Sequence, residues 1–234
     1  IRPEGAAVHL SRSIADDFCL FVNSGAFVLD ESSSDTSNPY MIMVQPGFEW
    51  DIFNNISLKG AFTYYEFDNV KGSMLDNSNA TNSFNVAPLS GLMYDYDSIA
   101  GAVDLGIKGP FGNCKLGEYI PYIGAFGDCV NNLDPDAGDF GWFVGVKLGY
   151  KKVGKPREYQ FAYSFRRLEK DAWLDAFPDS DCYSGDTDIR AHEFTFKYAL
   201  LKNVLLGIDY YQTKNLTGTE LKEDLVQTDL ELKF

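Results

Sequence analysis

The chain has 234 residues, 45% apolar and 15% aromatic, which is too rich in large side chains for a disordered segment. Thirty-four acids against twenty bases leave a net charge of −14, which argues against a nucleic-acid binder, because a polyanion needs a basic footprint. No apolar run approaches the roughly 18 residues of a membrane-crossing helix, a test that says nothing about crossing by strands.

Read in chain order, the residues alternate with period two and nothing reads as a long amphipathic helix. The spacing predicts about eleven strands, near 5–10, 18–29, 40–50, 56–67, 99–108, 119–128, 141–150, 159–168, 190–199, 204–213 and 225–234. In 142–150, Trp142, Val144, Val146, Leu148 and Tyr150 share one side, while Gly145, Lys147 and Gly149 take the other. Phe161, Tyr163 and Phe165 alternate with Gln160, Ser164 and Arg166, and Phe194, Phe196, Tyr198 and Leu200 alternate with Glu193, Thr195, Lys197 and Ala199. The last segment sets Val226, Thr228, Leu230, Leu232 and Phe234 against Gln227, Asp229, Glu231 and Lys233. The fold class is all-β.

The connections alternate in length. Those at 11–17, 51–55, 109–118, 151–158 and 200–203 are short. Those at 30–39, 68–98, 129–140, 169–189 and 214–224 are mostly longer and rich in Asp, Asn, Ser and Gly. Counted over 30–39, 66–97, 128–139, 169–190 and 214–224, the long loops carry −17, whereas the short turns carry +2. An up-and-down meander with short turns at one end and long loops at the other is the layout of a transmembrane β-barrel, and nothing obliges a soluble sandwich to sort its loops so.

The polar faces carry charge in mid-strand, which suits a water-filled lumen. Lys59, Asp104, Lys147, Arg166, Glu193, Lys197, Asp209, Asp229 and Glu231 are therefore the pore-lining candidates. The apolar faces end, at the short turns, in Trp50, Tyr150, Tyr198 and Phe234, as rings at a membrane–water boundary do. High β propensity alone accounts for such rings but not for their clustering at one end.

Other chemistry is poorly supported. Cys19, Cys114, Cys129 and Cys182 form no CxxC pair, and His9 and His192 are the two histidines, so no metal site or Cys/His nucleophile is expected. The stretch NNLDPDAGD has Asp134, Asp136 and Gly138 at the alternation of a calcium loop, with Asp139 as a further candidate ligand, but it lacks the bidentate Glu; a solvated acidic loop is the other reading. The acids Asp179, Asp181, Asp186 and Asp188 allow the same two readings. No GxSxG elbow is present, so no catalytic residue and no cofactor are expected.

Several stretches, among them IRPEGAAVHL, FVNSGAFVLDE, GWFVGVKLGYKK, EYQFAYSFRRLEKDAWLDAFPDSD, HEFTFKYALLKNVLLGIDYY and the closing QTDLELKF, resemble the putative porin family of Gram-negative bacteria. The resemblance implies an outer-membrane β-barrel that lets small hydrophilic solutes or cations diffuse passively. An odd strand count does not close a bacterial barrel with both termini at the periplasm. Residues 1–234 are therefore expected to be one β-barrel domain lacking upstream strands. The lipid bilayer, small solutes and further copies of the chain, as in a homotrimer, are the expected partners.

Porin loops of this length can fold inward as a charged constriction. The candidates are Arg166 with Arg167 and, in the following loop, Asp171, Asp175, Asp179 and Asp181; the 68–98 segment is an equal candidate. Arg166 and Arg167 pairing with neighbouring acids and merely bracing the wall is the other reading. Cys129 and Cys182, in neighbouring loops two strands apart in an oxidising compartment, are the expected disulfide. A non-conducting structural or adhesin-like barrel acting through its acidic loops is the alternative function; strand number, hence bore, separates the two.

Overall fold

The alternation in the sequence is carried by eleven strands. In the computed structural model, which describes residues 4–30, 38–85, 91–219 and 221–233, these are β1 (Glu4–Ala15), β2 (Phe18–Val28), β3 (Tyr40–Phe53), β4 (Ile56–Asp68), β5 (Ser98–Lys108), β6 (Tyr122–Asn132), β7 (Phe140–Gly149), β8 (Tyr159–Leu168), β9 (Ile189–Leu201), β10 (Val204–Asn215) and β11 (Lys222–Leu232). A single turn of helix, α1 (Lys115–Tyr119), lies in the connection from β5 to β6. The strands form one sheet in the order β1 to β11, each antiparallel to the next, and among the described residues the sheet stays open between β1 and β11. Strand number and meander agree with the sequence. Several ends shift by one to five residues, among them β3, which continues to Phe53, and β6, which starts at Tyr122; β1 continues to Ala15 and β6 to Asn132, so that Cys129 belongs to a strand rather than to a loop.

The sheet curls. Gln45 on β3 and Arg166 on β8 line one cavity of about 430 Å3, although five strand spacings, about 24 Å of wall, lie between them. A cavity that size touches both only if the wall bends toward their common face. That face is concave.

The convex face is apolar and bare. Val8, Leu10, Val22, Val44, Phe62, Val103, Val144, Phe194, Val226 and Leu230 are all exposed there, in a band running across the sheet. A soluble monomer rarely shows apolar patches beyond a few hundred Å2, whereas lipid requires such a band. The stripes are not packed into a central core. Near the short turns the band ends in rings: Phe18 meets Trp50 edge-on with centroids 6.2 Å apart, and Tyr150 meets Tyr159 at 6.2 Å. Phe234, expected in this girdle, lies outside the described residues.

Candidate functional site

The pairing register sets the concave face residue by residue. Lys59 stands opposite Asp104, Lys147 opposite Gly124, Arg166 opposite Phe143, Glu193 opposite Ser164 and Lys197 opposite Gln160. Asp209 lies between Thr195 and Gln227, with Asp229 opposite Gly207 and Glu231 opposite Leu205. Since alternate residues share a face, all nine expected charged residues fall on the concave side.

Neutral polar groups join them. His9 Nδ1 lies 2.6 Å from Asn23 Oδ1, Asn23 Nδ2 donates to Gln45 Oε1 at 2.8 Å, and Gln45 Nε2 donates to Thr63 Oγ1 at 2.8 Å. This ladder crosses β1 to β4, and lower down Lys59 donates to Glu49 at 2.7 Å.

Aromatic rings on this face lie flat against glycines of the next strand, with a cation above. Phe21 stands opposite Gly47 with the Lys59 ammonium 4.9 Å from the ring centroid, and Phe126 stands opposite Gly145 with Lys147 at 4.4 Å. A Cβ at Gly47 or Gly145 would come within 2.3 or 2.4 Å of the ring. Only glycine lets these rings lie against the wall.

The two longest loops meet over the long-loop end of the face. Leu75, Leu92 and Tyr96 of one join Leu174 and Ala176 of the other in a core that also takes in Leu29, Met41 and Phe67 from the rims of β2, β3 and β4. Trp173 packs edge-on to Tyr65 at 4.8 Å and to Phe67 at 5.6 Å. On the other side Ala172 and Cys182 pack with Leu168, Ile189, Ala191 and Tyr211, from β8 to β10. The loops thus form a cap anchored on both sides of the arc.

Buried carboxylates hold the cap. Asp175 Oδ2 accepts from Ser78 Oγ at 3.0 Å and from the Thr81 amide at 2.8 Å. Asp171 accepts from the Ser83 amide and hydroxyl at 2.7 and 2.6 Å and from the Tyr96 hydroxyl at 2.8 Å. Asn82 donates to the Lys170 and Trp173 carbonyls at 2.7 and 3.0 Å and accepts from the Asp175 amide at 2.8 Å. Burial and the two carboxylates push the Tyr96 hydroxyl pKa far up, so it stays a donor. The sequence offered no periodic signal for Ser78, Thr81, Asn82 and Ser83.

This corrects the expected constriction. Asp171 and Asp175 are 5% and 2% exposed and fasten loop to loop, whereas Asp179 and Asp181 remain on the exposed rim. Arg166 and Arg167 do not act together, because adjacent strand residues face opposite sides. Arg166 lies on the concave face, 5.4 Å from the Phe143 centroid, while Arg167 projects from the other side and pairs with Glu169 at 2.5 Å. Beneath the cap, Arg166, Asp128, Trp173 and Asp179 share the 430 Å3 cavity.

The expected disulfide is absent, since all four cysteines are free thiols. Cys129 sits within β6 on the convex side, opposite Trp142, whereas Cys182 is buried in the cap with its Sγ 3.9 Å from Thr213 Oγ1 on the concave side. The wall separates them. The calcium candidates are spread among other partners: Asp134 accepts from the Asp95 amide at 2.9 Å, Asp139 from Asn131 at 2.7 Å, and Asp136 is exposed. Among the described residues no three His, Cys, Asp or Glu side chains gather as metal ligands.

Among solved structures, the chain is similar to LpxR from Salmonella typhimurium, with 8% identity, 98% of this chain and 88% of that chain covered, and a TM-score of 0.38. No curated protein matches the sequence. A family described as "Putative porin" matches over residues 2–90 and 84–234. With an apolar convex face, a charged concave face and a family match from end to end, the chain belongs to the putative porin family.

Proposed function

We propose that this protein is wall and mouth of a diffusion channel in the outer membrane of a Gram-negative bacterium, passing ions and small hydrophilic solutes without chemical change. The observation that carries the reading is the partition of side chains: nine charged residues on the concave face of a sheet whose convex face is bare and apolar. Against lipid the reverse orientation would be unfavourable by roughly 2–4 kcal/mol for each Lys or Arg at the midplane. The long-loop end of the sheet, −17 over the ranges counted from the sequence, favours cations at the mouth, and salt at about 0.15 M limits the effect to within roughly 8 Å of the charges.

A non-conducting barrel is the second reading, favoured by the packed loop core across the concave face. Single-channel recording of the full-length protein in a planar bilayer separates them. Stepwise conductance with a mildly cation-selective reversal potential across a salt gradient is expected. Reconstituted protein without unitary steps overturns the channel, and anion selectivity overturns the role of the acidic mouth.

A further inference from the structure

The cavity beneath the cap has an arrangement of charge that a simple water passage does not need. Arg166 and Asp128 both line it, yet neither makes an ion pair within 4 Å among the described residues. The guanidinium rests over the Phe143 ring instead, 5.4 Å from its centroid. Asp179 borders the same space from the loop side, its Oδ1 accepting the Asp181 amide at 3.1 Å. Trp173, held by its contacts with Tyr65 and Phe67, supplies an aromatic wall.

Arg167 also borders the space but is already paired with Glu169 at 2.5 Å, so one unpaired cation, two carboxylates and an aromatic surface share about 430 Å3, a volume in the range of small-molecule sites. We infer that this cavity is a binding station for zwitterionic α-amino acids, with basic side chains preferred, on the diffusion path. The inference rests on the channel reading above. The ligand carboxylate takes the free Arg166 guanidinium, whose planar fork matches it in two parallel bonds. The ligand ammonium takes Asp128 or Asp179, and the excess of one acid favours a second positive charge on the ligand. Aliphatic parts or a guanidinium lie on Trp173. A neutral sugar satisfies none of the three charges, and a dicarboxylate meets two of them with like charge.

The test is isothermal titration of L-arginine into the full-length protein in detergent micelles, with N-acetyl-L-arginine amide as a probe capped at both poles. Saturable binding of L-arginine is expected, at least tenfold weaker for the capped probe and for Arg166→Gln, since each removes a charge-assisted pair. Asp179→Asn, on the exposed rim, is expected to weaken binding while leaving the fold intact, and so covers the case in which Arg166→Gln fails to fold. Absence of saturation in the wild-type protein overturns the station, as does equal binding of the capped probe or unchanged binding in Asp179→Asn and a folded Arg166→Gln. Unitary conductance without amino-acid binding removes the station and leaves the channel, whereas binding without conductance does the reverse.

Discussion

Asp175 Oδ2 accepts the backbone amide of Thr81 at 2.8 Å across 94 residues of sequence. With Ser78 Oγ at 3.0 Å on the same oxygen, one carboxylate fastens the 69–97 loop to the 169–188 loop. The opposite oxygen, Oδ1, is buried without a partner. Replacing Asp175 by Ala therefore orphans the donors while filling nothing, an expected loss of about 1–3 kcal/mol in loop docking. Limited proteolysis within 169–188 should accelerate in Asp175→Ala and not in Asp181→Ala, whose side chain is exposed, while thermal unfolding of the sheet stays within a few degrees of wild type. Equal cleavage of the two variants would show that the carboxylate is not the fastener.

Asp186 makes loop docking depend on pH. Burial raises its carboxyl pKa above the ordinary value, more than the Asn79 amide, which donates to it at 3.1 Å, lowers it. The folded pKa exceeds the unfolded one, so the docked state binds the proton more tightly, and the penalty for the desolvated charge is full at neutral pH. Docking should strengthen as pH falls from 7 through that raised value toward the usual carboxylate range near ~4. Asp186→Asn removes the charge and keeps an acceptor for Asn79. Its loop cleavage should be slower than wild type at neutral pH and nearly flat with pH, and a wild-type rate that rises on mild acidification would contradict the sign.

The sheet was legible because period two leaves a mark at every residue of every strand. Lys59 and Asp104 could be placed on one face from alternation alone, and the register pairs them directly. The cap left no such mark. Asp171 and Asp175 read as solvated charges because Asp in a polar loop usually is one; the available hint was the stretch DAWLDAF, in which all the residues between and after them are apolar. The disulfide expectation failed for a different reason. Ending β6 at 128 turned Cys129 into a loop residue, whereas four more residues of strand carry it to the convex face. Strand ends are the least determined part of an alternating pattern, and a single residue decides the face.

The ring on Gly145 should control the bore. A Cβ there would meet the Phe126 ring at 2.4 Å and the Tyr163 carbonyl at 2.8 Å, so Gly145→Ala must lift the ring from the wall and from under Lys147. Overpacking of this kind costs about 1–3 kcal/mol. At Gly207, also on the concave face, a Cβ would lie 3.7 Å from Asp229 Cβ, an ordinary contact. Gly145→Ala is therefore expected to lower both the unfolding temperature and the unitary conductance, and Gly207→Ala to change neither appreciably. Matching behaviour of the two variants would remove the ring-on-glycine account of the wall.

The thiols test the two-sided wall directly. Cys182 is 2% exposed, and burial pushes its thiol pKa up, which lowers its thiolate fraction and its reactivity. Cys114, at the start of α1, is exposed in a short turn and should label fastest with a water-soluble maleimide. Cys129 is also exposed, but on the convex side, where lipid replaces water and a charged maleimide does not reach it. In proteoliposomes the expected order is Cys114 well ahead of Cys129 and Cys182. Denaturation in detergent should release all three to similar rates, and non-reducing mass spectrometry should find no 129–182 bond. Rapid aqueous labelling of Cys129 in the bilayer would turn the sheet inside out, placing Phe194 and Leu230 against water and the charged face against lipid.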